Sequence, residues 1–73
     1  MKYPKRIQNR VNRIEGQIKG IKRMMTSDTD EDKVMIQLQA VISSLESLKL
    51  ELVQKQMKES LMEDIKKSLG LSD

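Results

Sequence analysis

The sequence predicts an all-α fold built as a two-helix antiparallel hairpin. Apolar residues recur every three or four positions in two long segments, which is the period of an amphipathic helix. A short stretch rich in Ser, Thr and Asp separates the segments and favours a turn. At 73 residues with no Cys, the chain is one small domain that no disulfide stabilises. We therefore expect it to gain stability by pairing with another chain.

The first helix is predicted over residues 4–25. Pro4 suits its first turn, where the N–H that proline lacks is not needed. Gly16 and Gly20 lie on one side of this helix, where they are either tolerated or allow another backbone or a phosphate to approach. Its apolar stripe consists of Ile7, Val11, Ile14, Ile18, Ile21 and Met25.

The segment "TSDTDED", residues 26–32, predicts the turn and the start of the second helix. Thr29 and Asp32 resemble a capping box, although Asp stands in place of the usual Glu or Gln. Calcium is the alternative for an acidic loop. Because the glycine and distal Glu of an EF-hand loop are missing, capping is the better interpretation.

The second helix is predicted over residues 30–60. A bend near Ser60 or Leu61 would leave residues 61–69 as a possible short third helix, and Gly70 suits the stop. The first helix is much shorter than the second and cannot cover its apolar stripe, so an antiparallel helical dimer is expected. That stripe consists of Val34, Leu38, Val41, Leu45, Leu48 and Leu52, followed by Val53, Met57, Leu61, Ile65 and Leu69 on a rotating face.

Positive charge is concentrated in residues 1–26, which hold eight Lys and Arg residues against Glu15 alone. Arg6, Arg10 and Arg13 fall on one side of the first helix, with Gln17 continuing the line. Arg is well matched to phosphate, so this row suggests a polyanion such as DNA. The alternatives are a solvated basic face or a membrane surface, although the helix lacks the aromatic face of an interfacial anchor.

Other function classes find little support in the composition. The chain has no His, no Cys, no phosphate-binding glycine loop and no Ser motif, so we expect neither an enzyme, nor a cofactor, nor a metal site. It has no apolar run long enough to span a membrane and no signal-peptide core near its start. We therefore expect a cytoplasmic protein.

The segments "RVNRIEGQIKGIKRMM" and "VMIQLQAVISSLESL" resemble the CsoR/RcnR family of small bacterial metal- and thiol-responsive repressors, over about residues 4–61. The resemblance implies hairpins that pair into an antiparallel four-helix bundle, dimers that pair into a tetramer, and binding to double-stranded operator DNA without a helix-turn-helix. The family's best supported basic DNA-binding position falls on Arg10. A second basic position falls on Ser47, so part of that surface is missing.

The resemblance also locates the effector site of the family. The Cys, His and Cys ligands of its copper sensors fall on Glu31, Gln56 and Ser60, so all three are absent. Copper, thiol, nickel and cobalt chemistry are therefore excluded at these degenerate positions. A small polar ligand, no ligand, or hydrogen-bonding remnants at the dimer seam are the alternatives. The third helix of relatives would be cut short after Leu69.

Two functional hypotheses follow. The first is a DNA-binding transcriptional repressor that has lost the usual inducer chemistry and contacts DNA through Arg6, Arg10, Arg13 and Gln17. The second is a ligand-less paralogue that forms mixed oligomers with a full-length sensor and binds no operator itself. The row of arginines favours the first hypothesis, whereas Ser47 and the short third helix favour the second.

Overall fold

The computed structural model describes residues 2–70, which form two long helices joined by a short turn. Helix α1 spans Lys5–Thr26 and helix α2 spans Glu31–Ser68. Helices account for 87% of the described residues, which contain no strand. The two helices fold back on each other as a hairpin, so the predicted all-α hairpin is confirmed.

The outer ends of the hairpin lie where Pro and Gly predicted them. Pro4 immediately precedes α1, and its carbonyl oxygen accepts hydrogen bonds from the N–H groups of Ile7 and Gln8 at 3.0 and 3.2 Å. Gly70 has a φ of +71°, a left-handed conformation that closes a helix and suits Gly best. The N–H of Gly70 donates to the carbonyl of Lys67 at 3.1 Å.

The start of α2 differs from the predicted capping box. Asp30 is the N-cap residue, and no side chain caps the helix. The hydroxyl of Thr29 instead shares a hydrogen bond of 2.8 Å with the hydroxyl of Ser27, so the box of Thr29 and Asp32 is wrong. Glu31 and Asp32 still lie in the first turn, where their charge complements the positive end of the helix dipole.

Helix α2 is continuous through Ser60 and Leu61, where the sequence allows a bend. Ser60 and Leu61 both lie within it, and residues 61–68 extend α2 instead of forming a third helix. Sharp kinks arise mostly at Pro, at Gly or Ser pairs, or at π-bulges. No Gly or Pro occurs between Glu31 and Ser68, and the Ser pair at Ser43 and Ser44 lies far from Ser60, so the sequence does not interrupt the helix at Ser60.

The core is a single seam between the two helices. Each side contributes residues seven apart, because seven residues make almost two helical turns. Residues 56–70 are all exposed, so α1 leaves the last part of α2 uncovered, as predicted from the helix lengths. The buried residues are Ile7, Ile14 and Ile21 on α1 and Val41 and Leu48 on α2, with Val34, Leu38 and Leu52 packed against them.

One flank of the hairpin is apolar and exposed. We call this flank the apolar face. On the helical wheel it adjoins the core seam on both helices. Contiguous exposed apolar side chains often mark interaction surfaces. Neither helix is long and apolar enough to cross a membrane within the part of the chain that the structure describes. The apolar face consists of Val11, Ile18 and Met25 on α1 and Met35, Ile42, Leu45 and Val53 on α2.

Candidate nucleic-acid interface

The opposite flank of α1 carries the arginine row, defined as Arg6, Arg10, Arg13 and Gln17. Steps of four, three and four residues keep these side chains on one side of a helix that turns about 100° per residue. Arg10, Arg13 and Gln17 line one shallow groove of about 150 Å³, together with Ile14 and Ser44. The fold therefore brings three of the four predicted residues together around a single groove.

Two members of the arginine row are engaged by a carboxylate on α2. Glu51 pairs through one oxygen with Arg6 and through the other with Arg10. Arg10 also donates from Nη2 to the hydroxyl of Ser47 at 3.2 Å. Arg13 forms no ion pair among residues 2–70. The row thus presents three positive charges beside one negative charge, a local net charge of +2.

The two arginines bound by Glu51 differ in exposure. The side chain of Arg6 is 67% exposed, whereas that of Arg10 is only 22% exposed and lies against α2. The side chain of Glu51 is 25% exposed between them. Arg6 can therefore leave the pair at little cost, whereas moving Arg10 also breaks its contact with Ser47.

Glu51 was not identified from the sequence, although the hairpin itself contains the signal. In an antiparallel hairpin, residues equally distant from the middle of the turn face each other. Arg6 and Glu51 are equally distant from the middle of the Ser27–Asp30 turn, and so are Arg10 and Ser47. Ser47, noted in the sequence only as a missing basic position, is thus a hydrogen-bond acceptor for Arg10.

Of the three positions that the family resemblance assigns to the effector site, Glu31 lies far from Gln56 and Ser60 within one chain. Glu31 is the first residue of α2, whereas Gln56 and Ser60 lie in its exposed last third. The separation of Glu31 and Gln56 along the helix is about 37 Å at 1.5 Å per residue. Gln56 lines a small pocket of about 110 Å³ with Tyr3, Leu52, Lys55 and Glu59. A site containing all three positions would therefore require a second chain.

Fold and surface together define a small all-helical protein with a basic flank and an exposed apolar flank. The family described as "Metal-sensitive transcriptional repressor" matches residues 3–72, which is nearly the whole chain. The protein therefore belongs to this family, which is the CsoR/RcnR family. No curated protein and no solved structure matches the chain.

The composition limits the metal ligands that this chain can supply. The sequence has neither Cys nor His, the ligands that suit copper, nickel and cobalt. Glu31, Gln56 and Ser60 would supply one carboxylate and two neutral oxygens, which is a poor donor set for a soft metal. Within residues 2–70, no three His, Cys, Asp or Glu residues are grouped so that they could hold a metal ion.

Proposed function

We propose that this protein is a DNA-binding transcriptional repressor whose arginine row contacts the phosphate backbone of operator DNA. Family membership supports the general role. The observation that carries the specific role is the separation of the two flanks, because pairing through the apolar face would leave the arginine row uncovered by the partner. The planar guanidinium offers phosphate several donors in a fixed geometry.

The proposed working unit is an assembly of hairpins in the cytoplasm, where a bacterial repressor meets its DNA. Two hairpins paired through their apolar faces would form a four-helix bundle, and two such dimers would form a tetramer. A twofold dimer presents two arginine rows, which suits an operator with inverted repeats. Phosphate contacts of this kind position the protein on the duplex, and they carry no base sequence information themselves.

A variant pair tests whether DNA lies on the arginine row. Arg10→Ala should weaken binding to a mixed-sequence duplex about tenfold, because it removes one phosphate contact. Arg23→Ala removes the same charge from another side of α1 and should change affinity much less. Fluorescence anisotropy at fixed salt measures both. An equal loss in the two variants would show that only net charge matters and would contradict the proposed interface.

We also propose that the inducer chemistry of the copper and thiol sensors has been lost here. Glu31, Gln56 and Ser60 provide no thiolate and no imidazole. Stoichiometric copper(I) should therefore leave the affinity for duplex DNA unchanged in the anisotropy assay. Release of DNA by copper(I) at that ratio would contradict the loss of the site.

A second candidate function is that of a ligand-less partner in mixed oligomers with a full-length sensor. The pairing of Glu51 with Arg6 and Arg10 favours it, because two of the arginines are then partly neutralised. Co-expression with a family member that carries the Cys and His ligands separates the two candidates. A stable mixed oligomer, together with no DNA binding by this protein alone, would favour the second.

A further inference from the structure

We propose that Glu51 is an internal competitor for the DNA phosphate and sets the strength of binding by the arginine row. Its carboxylate occupies Arg6 and Arg10 in the protein without DNA, so a phosphate must displace it to reach the same donors. The inference rests on the proposed function, since it concerns the affinity of that same interface.

The geometry makes Glu51 a shared partner of two arginines. Its two oxygens are divided between the guanidinium of Arg6 and that of Arg10, which are one helical turn apart on α1. Glu51 itself comes from α2, 45 residues from Arg6 and 41 from Arg10. Glu51 accepts a hydrogen bond from Nη1 of Arg10, and Ser47 accepts one from Nη2. Both terminal nitrogens of Arg10 therefore already have a partner.

The charges determine whether Glu51 raises or lowers the affinity of the arginine row for DNA. The side chain of Arg6 is largely exposed, so its pair with Glu51 contributes little free energy and a phosphate can break it. The pair of Glu51 with Arg10 is part-buried and costs more to break. The carboxylate then stays fixed to α2 within a few ångströms of the phosphate, and the like charges repel. Glu51 therefore lowers the affinity below what three unopposed arginines would give. A phosphate that contacts Arg6 or Arg10 also replaces an ion pair that already exists with Glu51. Such a contact adds less to the counterion release that drives DNA binding.

The test compares two variants on the same helix, each of which removes one negative charge. Glu51→Gln keeps the size of the side chain and an acceptor oxygen for the arginines, and removes the charge. Glu59→Gln makes the same charge change at a residue that pairs with Lys55 instead. Glu51→Gln should raise the affinity for a mixed-sequence duplex by about three- to tenfold at low salt and steepen the salt dependence, whereas Glu59→Gln should change both much less.

The outcomes separate this inference from the proposed function. If the wild type binds DNA and Arg10→Ala weakens binding, but Glu51→Gln leaves it unchanged or weaker, the competitor role is overturned and the interface stands. An equal gain in Glu51→Gln and Glu59→Gln would also overturn it, because net charge alone would explain the result. Binding by Glu51→Gln where the wild type binds nothing would support it strongly. No binding by any of these proteins would overturn the inference together with the proposed function.

Discussion

Arg10 contacts two residues of α2, whereas Arg13, three positions further on, forms no ion pair within the described residues. The arginines of the row are therefore not equivalent. On the proposed interface, Arg13 would offer its donors to an incoming phosphate, Arg6 would turn outward, and Arg10 would exchange one anion for another. Alanine at Arg10 also removes a part-buried link between the helices and leaves Glu51 paired with Arg6 alone.

Gly16 provides a second test at the scale of single residues. A Cβ atom placed there would meet nothing within 4 Å beyond its own stretch of helix. Gly inside a helix costs about 0.5–1 kcal/mol relative to Ala, so Gly16→Ala should stabilise the protein by about that amount. Urea unfolding followed by circular dichroism measures the change. A loss of stability would instead show that another chain packs closely on this side of α1.

The end of α2 is the element whose stability needs explanation. Residues 56–68 receive no cover from α1, and an isolated helix of this length is marginal in water. Two features maintain it. The segment continues a helix that is already formed by packing, so it needs no new nucleus. The pair of Lys55 and Glu59, four residues apart, adds a few tenths of a kcal/mol.

Ser60→Pro tests whether α2 is continuous in solution. Proline at this position removes one helical hydrogen bond and clashes with the carbonyl of Gln56. We expect the far-ultraviolet circular dichroism signal to fall, because the turns around and beyond Ser60 unwind. Ser60→Ala should retain the full signal, since alanine is the best helix former. An unchanged signal in Ser60→Pro would show that α2 ends before this residue.

Much of the fold follows from local signals in the sequence. The apolar period predicts both helices, and Pro4 and Gly70 mark the outer ends. The predicted capping box placed the N-cap at Thr29, one residue before the observed N-cap, Asp30. Thr and Asp are both favoured at the N-cap, so the local sequence does not distinguish the two positions. No bend forms near Ser60, because a single polar residue on an apolar stripe changes the polarity of the helix surface without breaking the helix.

The candidate site was less predictable, because it depends on the register between the helices. The helical wheel places Arg6, Arg10, Arg13 and Gln17 together, and the structure gathers the last three at one groove. To predict that Glu51 pairs with Arg6 and Arg10, the middle of the turn must be known, because that point determines which residues of α2 face α1. A single acidic residue in a helix rich in Lys and Glu gives no such signal by itself.

The whole hairpin exposes more surface than a compact chain of its mass. Its accessible area is 6420 Å², whereas a compact monomer of 8.5 kDa would expose about 4,700 Å². The long axis measures 64 Å against 19 and 12 Å for the others, so the hairpin is long and thin. Pairing through the apolar face would bury part of this excess, as expected of small helical chains without disulfides.

Leu45→Glu tests that pairing. Leu45 lies on the apolar face, and a buried, unpaired carboxylate there should break the assembly into single hairpins. Leu50→Glu is the matched control, because Leu50 is exposed on the side of α2 away from the core seam. Sedimentation equilibrium measures both masses. Assembly retained in Leu45→Glu would place the interface elsewhere on the hairpin.

The salt dependence of affinity tests most directly whether the arginine row binds the DNA backbone, as we propose. The logarithm of the association constant falls linearly with the logarithm of salt concentration, by about 0.9 for each phosphate neutralised. The triple variant Arg6→Ala, Arg10→Ala and Arg13→Ala should therefore show weaker binding and a clearly shallower slope than the wild type. A triple variant with the wild-type affinity and slope would contradict the claim.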